Sequence, residues 1–421
     1  MQLNKCIKTI NLLSAFWFSA LFAVASASAD IHSAPPQTEP NPAADKKNLA
    51  NTPALSKEVL GNIVFNDASL SHPPGQSCAS CHKPDKAFAD PGMASSEGAV
   101  KGIFGSRNTP SLTYVSFTPV FQALDYEPGW VGGLFWDGRA NTLQEQALGP
   151  LLNPIEMNNS LAGLAKKLRS ASYYSALKQL YGEQLASDDQ AIADAAADVL
   201  AAFQKSEQLQ PFTSKYDYYE FNLIELSEQE LRGIEIFNDK GMCTDCHSGL
   251  FHSYELFSSY RHHNILIPAN PELEFYRNPK ELNPLGSKFI DIGLAANPQF
   301  KGEAKKSVRG LFRTPTMRNV AMTPPYMHNG VFKTLEEVVD YYNDINSMGA
   351  PELEENPSVL LSSPLNLTTA DKAALVAFLK TLTDGYQAPE KTFKELRKKQ
   401  ALRFEEYQKQ NAYKSAATLT E

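Results

Sequence analysis

Two short stretches of this 421-residue chain nearly repeat each other, and they decide its fold class. The first is Glu58-Val-Leu-Gly-Asn-Ile-Val-Phe-Asn-Asp67, and the second is Glu230-Leu-Arg-Gly-Ile-Glu-Ile-Phe-Asn-Asp239. Each is followed by a CxxCH motif, Cys78-Ala-Ser-Cys81-His82 in the first half and Cys243-Thr-Asp-Cys246-His247 in the second. A repeat of this kind indicates that the two halves share one structural plan.

Further matches extend the repeat and indicate helices. Arg107-Asn-Thr-Pro-Ser-Leu112 resembles Arg313-Thr-Pro-Thr-Met317, and Thr142-Leu-Gln-Glu145 resembles Thr334-Leu-Glu-Glu337. The last pair is typical of the capping box that begins a helix. Strand-like alternation is scarce, so the sequence predicts a mainly α-helical protein. We expect two helical domains, 53–205 and 206–388, and a charged helical tail over 389–421.

The composition is that of a globular protein with an acidic balance. Of its residues 43% are hydrophobic and 20% are charged, and 39 Lys and Arg face 47 Asp and Glu, for a formal net charge of -8. A nucleic-acid partner would require a basic face, so this balance argues against one.

The first 29 residues are typical of a cleaved export signal. A short basic start precedes a nearly apolar run over 10–25, and Ala27-Ser28-Ala29 supplies the small residues that a signal peptidase requires. The alternative is an uncleaved membrane anchor, which the short run disfavours. Residues 30–52 are predicted to be a flexible leader. We therefore expect a periplasmic protein, cleaved after Ala29, with no membrane span.

All four cysteines other than Cys6 lie in the two CxxCH motifs. CxxCH is the attachment signature of c-type haem, in which two thioether bonds hold the porphyrin and the histidine is the proximal iron ligand. A zinc site or a thiol redox pair is the alternative, but two CxxCH motifs with no spare cysteine favour haem. The predicted residues are Cys78, Cys81 and His82 for haem 1, and Cys243, Cys246 and His247 for haem 2.

Two haems can serve electron transfer alone, whereas a catalyst requires one iron with an exchangeable coordination position. Eight positions after Thr334 lies Tyr342, but eight positions after Thr142 lies Pro150. If the halves superpose, haem 2 meets a phenol oxygen and haem 1 meets a ring with no lone pair to donate. Two alternatives remain for haem 2: Met348 is its ligand, or Tyr342 is an ordinary core aromatic residue.

The segment Phe135 to Met157 (FWDGRANTLQEQALGPLLNPIEM) carries candidate chemistry for haem 1. Heterolytic cleavage of peroxide requires a base that moves a proton between its oxygens, and the apolar frame of Glu156 should raise the pKa of that carboxyl. Gln146 could hydrogen-bond the oxygen species, and Trp136 is an oxidisable ring suited to relay an electron. Each also has an ordinary interpretation, as a helix-end charge, a solvated helix residue and a core residue.

Together these residues resemble the bacterial di-haem cytochrome c peroxidases and the MauG branch of that family. The resemblance covers roughly 55–385 and rests on GSRNTPSL, the segment above, FRTPTMRNVAMTPPYMHNG and the two CxxCH motifs. It implies two cytochrome-c-like domains, with a peroxidatic haem in the N-terminal half and an electron-transfer haem in the C-terminal half.

The resemblance also assigns roles to single positions. It places the inter-haem tryptophan at Trp136, the distal glutamine at Gln146, a distal-pocket proline at Pro150 and the distal acid–base at Glu156. Hydrogen peroxide and a protein electron donor or protein substrate are the partners it implies.

A calcium ion between the domains is implied as well. By motif, its ligands are the Asn108 side chain and the backbone carbonyls of Thr323 and Pro325, which are oxygen donors of the hard kind that calcium prefers. Members of this family are often dimers, which leaves a homodimer open.

Two departures from the peroxidase pattern favour the MauG-like branch. Many of these peroxidases carry a histidine that caps haem 1 in the loop after the first CxxCH, but the loop from Lys83 to Arg107 contains none. The distal ligand of haem 2 in typical peroxidases is a methionine, whereas Tyr342 stands here. Three functions stay open: MauG-like oxidation of a partner protein, peroxide scavenging with electrons from a small cytochrome or copper protein, and electron transfer without catalysis.

Three other histidines receive ordinary interpretations. His262 and His263 are expected to be loop or surface groups, although a long loop could bring either near a haem edge. His328 is expected to be a structural hydrogen-bonding group.

Overall fold

The structure is a computed structural model that describes residues 55–124, 129–248, 255–346, 348–361 and 363–417; the side chains of 361 and 408–417 are not described. The predicted signal peptide (1–29) and leader (30–52) lie outside these ranges. Within them the protein is mainly helical, as the sequence predicts. The α-helices are α1 (Lys57–Phe65), α2 (Cys78–Cys81), α3 (Leu143–Leu152), α4 (Leu161–Ser170), α5 (Tyr174–Tyr181), α6 (Asp189–Gln204), α7 (Lys215–Glu220), α8 (Glu228–Asn238), α9 (Gly302–Lys306), α10 (Leu335–Asn343), α11 (Thr369–Lys380) and α12 (Glu390–Ala417).

Short elements join these helices. Two antiparallel strand pairs form, β1 (Gln122–Ala123) with β2 (Trp130–Val131), and β3 (His262–His263) with β4 (Phe312–Arg313). The 3-10 helices are Ala68–Leu70, Pro84–Lys86, Val115–Phe117, Glu183–Ala186, Glu207–Leu209, Cys243–Asp245, Glu274–Arg277, Gly286–Lys288, Gly293–Ala296, Val320–Met322 and Val359–Leu361.

The core of the first half forms where α1 packs on α6. Gly61 makes the close approach possible, since a Cβ there would lie 1.9 Å from the carbonyl oxygen of Val199. Leu60 and Val64 of α1 are buried in the same cluster, which also takes in residues of α3, α4 and α5. This cluster draws on residues 60–209.

The second half repeats this packing with α8 and α11. Gly233 occupies the position of Gly61, and a Cβ there would lie 2.2 Å from the carbonyl oxygen of Ala374. The associated cluster draws on residues 236–382 and is separate from the first. Two cores with one packing plan agree with the sequence repeat, while the predicted domain bounds of 53–205 and 206–388 stay a prediction.

Each half also contains three phenylalanines packed against one another. Their ring centroids lie 5.0–6.2 Å apart in the first half and 5.2–6.0 Å apart in the second, mostly edge to face. The two sets are Phe65, Phe88 and Phe203, and Phe237, Phe257 and Phe378.

The helices α3 and α10 begin at the predicted threonines. Thr142 Oγ1 accepts from the Glu145 N–H and Thr334 Oγ1 from the Glu337 N–H, each at 3.1 Å. The reciprocal half of the predicted capping box differs, because Glu145 accepts from the N–H of Asn141, one residue before the cap. The two helices therefore begin in the same register.

The tail is helical, as predicted, but part of α12 is anchored and not simply solvated. Leu396 is fully buried, and the Gln400 side chain donates to the Phe212 carbonyl at 2.7 Å. Arg403 donates to the Glu220 carboxylate at 2.6 Å. None of the helices in the described ranges is long and apolar enough to cross a bilayer.

Candidate haem sites

The first CxxCH lies on α2 and presents a buried histidine. His82 Nδ1 lies 3.0 Å from the Phe88 carbonyl oxygen. Because a carbonyl can only accept, Nδ1 carries the proton and Nε2 keeps the lone pair that a metal requires. Burial lowers the pKa of His82, which favours the neutral, ligating form.

The second CxxCH repeats this geometry. Cys243 begins a 3-10 helix, and His247 Nδ1 lies 2.8 Å from the Phe257 carbonyl oxygen. Burial lowers the pKa of His247 to about 4, so this imidazole is also neutral at physiological pH. Both histidines are therefore held as iron ligands are held in metalloproteins, with the second ring nitrogen on a backbone carbonyl.

The four thiols fit covalent attachment to haem better than a zinc site. Burial raises the pKa of Cys78 and Cys243 to about 12 and that of Cys246 to about 11, and it also raises the pKa of Cys81. Zinc binds thiolates, which such burial disfavours. Among the described residues, no group of three or more His, Cys, Asp and Glu side chains is arranged to hold a metal ion.

A large pocket opens beside His247. Most of its wall is apolar, as a porphyrin face requires, and it takes in both cysteines of the motif. Tyr342 and Trp136 contribute to this wall, as do Met317 and Met327. The residues present therefore fit the predicted haem 2.

The two adjacent tyrosines of α10 have different environments. The Tyr341 hydroxyl donates to the carbonyls of Ile265 and Leu266 at 2.6 and 2.8 Å, so this ring is an anchored core residue. Tyr342 lines the pocket, where burial raises the pKa of its phenol well above the ordinary value. Met348 packs in the cluster around Tyr341. Of the two candidate ligands, Tyr342 is thus the one placed in the wall of the pocket with His247.

Pro150 and Tyr342 occupy equivalent positions of equivalent helices. Both α3 and α10 begin after a threonine N-cap with the same backbone conformation, and each residue lies eight positions beyond its cap. Because the register is the same, a phenol in one half corresponds to a proline ring in the other.

Glu156 lies close to the first CxxCH. Its carboxylate influences the pKa of both Cys78 and Cys81, and its Oε2 is buried without a hydrogen-bond partner. Burial raises the pKa of Glu156, an effect that Arg139 partly opposes. A buried carboxyl with an unsatisfied oxygen is suited to hold and release a proton.

Gln146 shares a helix face with Pro150. The two residues lie four positions apart on α3, and Gln146 is half-buried. The structure thus places Gln146 and Pro150 on one face of α3, while their position relative to Glu156 and the contacts of the Gln146 amide with a haem-bound species stay predictions.

Trp136 lies between segments of the two halves. Its Nε1 donates to the Asn108 carbonyl at 2.9 Å, and its own carbonyl accepts from the Arg313 N–H at 2.9 Å. The residue also lines the His247 pocket. This position agrees with a role between the haems.

The predicted calcium ligands lie in one region. The Asn108 N–H donates to the His328 carbonyl at 2.7 Å, and the Asn108 amide group donates to the Met93 carbonyl at 3.2 Å. The Gly92 N–H donates to the carbonyl of Pro324, which lies between Thr323 and Pro325. An Asn side chain among backbone carbonyls fits a hard cation, and calcium binding itself stays a prediction.

The expectation of a loop or surface group is wrong for His262, whereas His263 agrees with the alternative of a place near a haem edge. His262 is not a surface group: it is 6% exposed, and its Nε2 donates to the Gly132 carbonyl at 3.0 Å. His263 lies in the wall of the His247 pocket, because the pairing of β3 with β4 brings it there. His328 is buried and stacked on Phe312 at 3.7 Å, which agrees with a structural role.

Sequence reasoning also missed a charged group beside this pocket. Arg107 is paired with Asp291 at 2.5 and 2.8 Å and with Asp137 at 2.7 Å. Asp291 lines the pocket, as does Glu352, which accepts from the Asp291 N–H. The sequence feature that could have indicated this charged group is the repeated motif that begins at Arg107.

Known proteins identify the family. The family described as di-haem cytochrome c peroxidase matches residues 56–222. Methylamine utilization protein MauG of Paracoccus denitrificans (strain Pd 1222) is 37% identical over 83% of this chain and 94% of its own length. The chain belongs to this family.

Other relatives carry both kinds of name found in the family. Cytochrome-c peroxidase IdrP1 of Pseudomonas sp. (strain SCT) is 27% identical over 86% of this chain and 89% of its own length. Among solved structures, the diheme peroxidase BthA of Burkholderia thailandensis E264 is 34% identical with a TM-score of 0.69, over 79% of this chain and 87% of its own. The protein is therefore a haem-dependent oxidoreductase of the di-haem peroxidase type, with cytochrome-c-like helical domains and two haems.

Proposed function

We propose that this protein is a periplasmic enzyme of the MauG-like branch, which uses hydrogen peroxide to oxidise a partner protein by long-range electron transfer. The observation that carries the proposal is the asymmetry between α3 and α10. Tyr342 lies in the wall of the His247 pocket, and the equivalent position of α3 is Pro150. A phenolate oxygen stabilises high oxidation states of iron, and a proline ring leaves the other iron accessible.

The first half handles peroxide. A bound haem would supply a redox-active iron with an open face. Glu156 Oε2 takes the proton from one peroxide oxygen and passes it to the other, which leaves as water. Gln146 orients the oxygen atoms from the same side as Pro150. Burial around Glu156 excludes bulk water, so the proton stays with the reacting atoms.

The second half holds oxidising equivalents and transfers them to the partner protein. A neighbouring cation would favour the Tyr342 phenolate and thereby offset the burial that raises the pKa of the free phenol. Trp136, between Asn108 and Arg313, relays electrons between the halves. Hydrogen peroxide accepts two electrons and two protons and becomes two waters, and the partner protein supplies both electrons at the enzyme surface. The partner protein thus never contacts iron.

Export and calcium complete the proposal. Residues 1–29 direct the chain to the periplasm, where covalent haem attachment takes place in bacteria. One calcium ion is held by Asn108 Oδ1 and the carbonyls of Thr323 and Pro325, and it keeps the segments around Trp136 in place.

A conventional peroxidase is the second candidate. Relatives named cytochrome-c peroxidase also span the chain: IdrP1 of Pseudomonas sp. (strain SCT) covers 86% of it and MauG of Paracoccus denitrificans covers 83%. In that function the electrons come from a small cytochrome or copper protein and the product is only water. A di-haem carrier without catalysis is a third function, and it would require both irons to be closed.

One mixing experiment separates these functions. The ferric holoenzyme is mixed with one equivalent of hydrogen peroxide, and reduced small cytochrome is added after a delay. The proposal predicts an oxidised state of both haems that persists for minutes and decays slowly with the cytochrome. Rapid steady turnover would establish the conventional peroxidase, and no reaction with peroxide would establish the carrier.

A further inference from the structure

The loop between each CxxCH and the carbonyl that orients its histidine differs in length between the halves. From His82 to Phe88 the chain advances 6 residues, and from His247 to Phe257 it advances 10. The carbonyl accepts from Nδ1 at a similar distance in both. A longer loop loses more conformational freedom when its end is fixed, so the second carbonyl requires a stronger anchor.

The short loop closes mainly on itself. The Phe88 N–H donates to the Lys83 carbonyl at 2.9 Å, and the Lys83 N–H donates to the Ala89 carbonyl at 3.0 Å. One side chain from the following segment adds to this closure, since Ser111 Oγ donates to the Ala87 carbonyl at 2.5 Å. The Phe88 carbonyl also accepts from the Leu112 N–H at 3.2 Å, so the short loop is held by its own turn and by backbone and hydroxyl groups of the following segment, without a charged side chain.

The described end of the long loop, residues 255–257, is tied to a distant segment of the chain. Thr316, the repeat equivalent of Ser111, donates through Oγ1 to the Leu256 carbonyl at 2.6 Å. Arg318 donates through Nε to the Glu255 carbonyl at 2.7 Å, and its guanidinium lies 6.0 Å from the Phe257 ring. Thus the two residues directly before Phe257 are each tied to the segment 316–318.

Arg318 is itself fixed by a buried carboxylate. Its two terminal nitrogens donate to Asp217 at 2.9 and 3.0 Å, and both side chains are completely buried. The rigid guanidinium fork allows one side chain to bind Asp217 with two nitrogens and Glu255 with the third. The repeat equivalent of Arg318 is Thr113, so the short loop lacks this tie.

We propose that Arg318, fixed by Asp217, is a positioning residue for haem 2 that holds the Phe257 carbonyl on His247 Nδ1. The inference rests on the proposed ligation by His247 but not on MauG-like chemistry or the identity of a partner. A hydrogen bond at Nδ1 increases the donor strength of the imidazole and so lowers the reduction potential of the iron. Loosening this bond should therefore raise the potential of haem 2.

The test is a redox titration of the holoenzyme, with the potentials of both haems resolved by their spectra. The main variant is Arg318→Met with Asp217→Asn, because changing both residues avoids an unpaired buried charge. The proposal predicts a higher potential for haem 2 and an unchanged potential for haem 1. Arg318→Lys, which keeps the charge but not the fork, should give a smaller shift in the same direction.

A milder pair of variants compares the two halves directly. Thr316→Val removes the bond that Thr316 Oγ1 donates to the Leu256 carbonyl and the bond that it accepts from the Arg318 N–H at 3.2 Å, and it should raise the potential of haem 2 alone. Ser111→Ala, its counterpart, should not move haem 2. Tyr114→Phe is the control for general destabilisation: it keeps the ring that packs beside Arg318 but removes the hydroxyl, which donates to Asp384 at 2.8 Å and accepts from the Phe212 N–H at 2.9 Å.

The outcomes are decisive in each case. A folded double variant with the haem 2 potential of the wild type overturns the proposal, as does a haem 2 shift in Tyr114→Phe equal to that in the double variant. If the double variant does not fold, Thr316→Val decides, and an unchanged haem 2 potential in that variant overturns it. Failure of the MauG-like chemistry is a separate result. It would appear when the wild-type enzyme is mixed with peroxide, and it would not alter the shifts in potential that are predicted for the variants.

Discussion

The two haem-binding halves are alike on the proximal side and unlike on the distal side. On the proximal side each has a glycine that brings two helices together, a phenylalanine trio and a histidine held by the carbonyl of one of those phenylalanines. On the distal side the same helix position holds Pro150 in one half and Tyr342 in the other. Under the proposed function, this one side chain distinguishes an open site from a closed site on the same scaffold.

The difference also extends behind the histidines. The Phe88 carbonyl ends a short turn and accepts from the Leu112 N–H, whereas the Phe257 carbonyl ends a longer loop whose last residues are tied to the Thr316 hydroxyl and the Arg318 guanidinium. We infer that the duplicated scaffold acquired its asymmetry in at least two places, at the distal ligand and at the anchor of the proximal loop.

The largest effect should come from Glu156→Gln, which removes the proton carrier of the open site. We expect the rate of reaction with hydrogen peroxide to fall by about 10²–10⁴-fold, measured by stopped-flow absorbance. Glu145→Gln is the matched control, because Glu145 is exposed on the same segment and serves α3 only at its start. A Glu156→Gln rate within twofold of the control would contradict the assignment.

The pH dependence of the same variant gives a second test. Burial raises the pKa of Glu156, so the wild type should react faster as the pH rises through that value, and Glu156→Gln should lack this limb. For stability the sign is opposite. The raised pKa gives the folded state extra stability at low pH that is lost as the pH rises through it, whereas the glutamine variant shows no such loss in a series of thermal melts.

The next effect concerns the closed site. Tyr342→Met replaces an anionic oxygen by a thioether, which should raise the potential of haem 2 and leave haem 1 unchanged. A redox titration with both haems resolved measures this. Met348→Leu is the control and should change neither potential; a shift there would identify Met348 as the ligand.

The shared packing can be broken equally in both halves. Gly61→Ala and Gly233→Ala each force a Cβ against a backbone oxygen, at 1.9 and 2.2 Å, and we expect each to lower the free energy of unfolding by about 1–3 kcal/mol. Gly105→Ala is the control, since its Cβ would meet neighbours only at 3.8 Å or more. Chemical denaturation measures all three, and a loss in only one half would mean that the repeat is not structural.

The smallest expected effect is at the helix caps. Thr142→Ala and Thr334→Ala each remove one hydrogen bond of 3.1 Å, which should cost about 1 kcal/mol of stability. The same denaturation experiment measures both variants. Losses that differ by more than a factor of three would show that α3 and α10 do not begin equivalently.

Much of this architecture could be predicted from the sequence, because the repeated residues are of types that have few alternative structural roles. The two CxxCH motifs and the threonine caps act through neighbouring residues, so their positions could be predicted, whereas the roles of Gly61 and Gly233 depend on helices that are distant in the chain. The register that makes Pro150 equivalent to Tyr342 follows from those caps.

The remainder depends on contacts between distant segments. Arg318 meets Asp217 and Glu255 across separations of 101 and 63 residues, and no local pattern indicates such partners. The sequence left a place near a haem edge only as an alternative for His263 for the same reason, since the pairing of β3 with β4 is what brings it to the pocket wall.

Resonance Raman spectra of the ferric holoenzyme test the central asymmetry most directly, because they report the ligands of each iron. We predict iron–phenolate bands that disappear in Tyr342→Phe and persist in Tyr341→Phe, together with one haem whose sixth position holds no protein ligand. Spectra without phenolate bands, or with two irons both closed by protein side chains, would contradict the account.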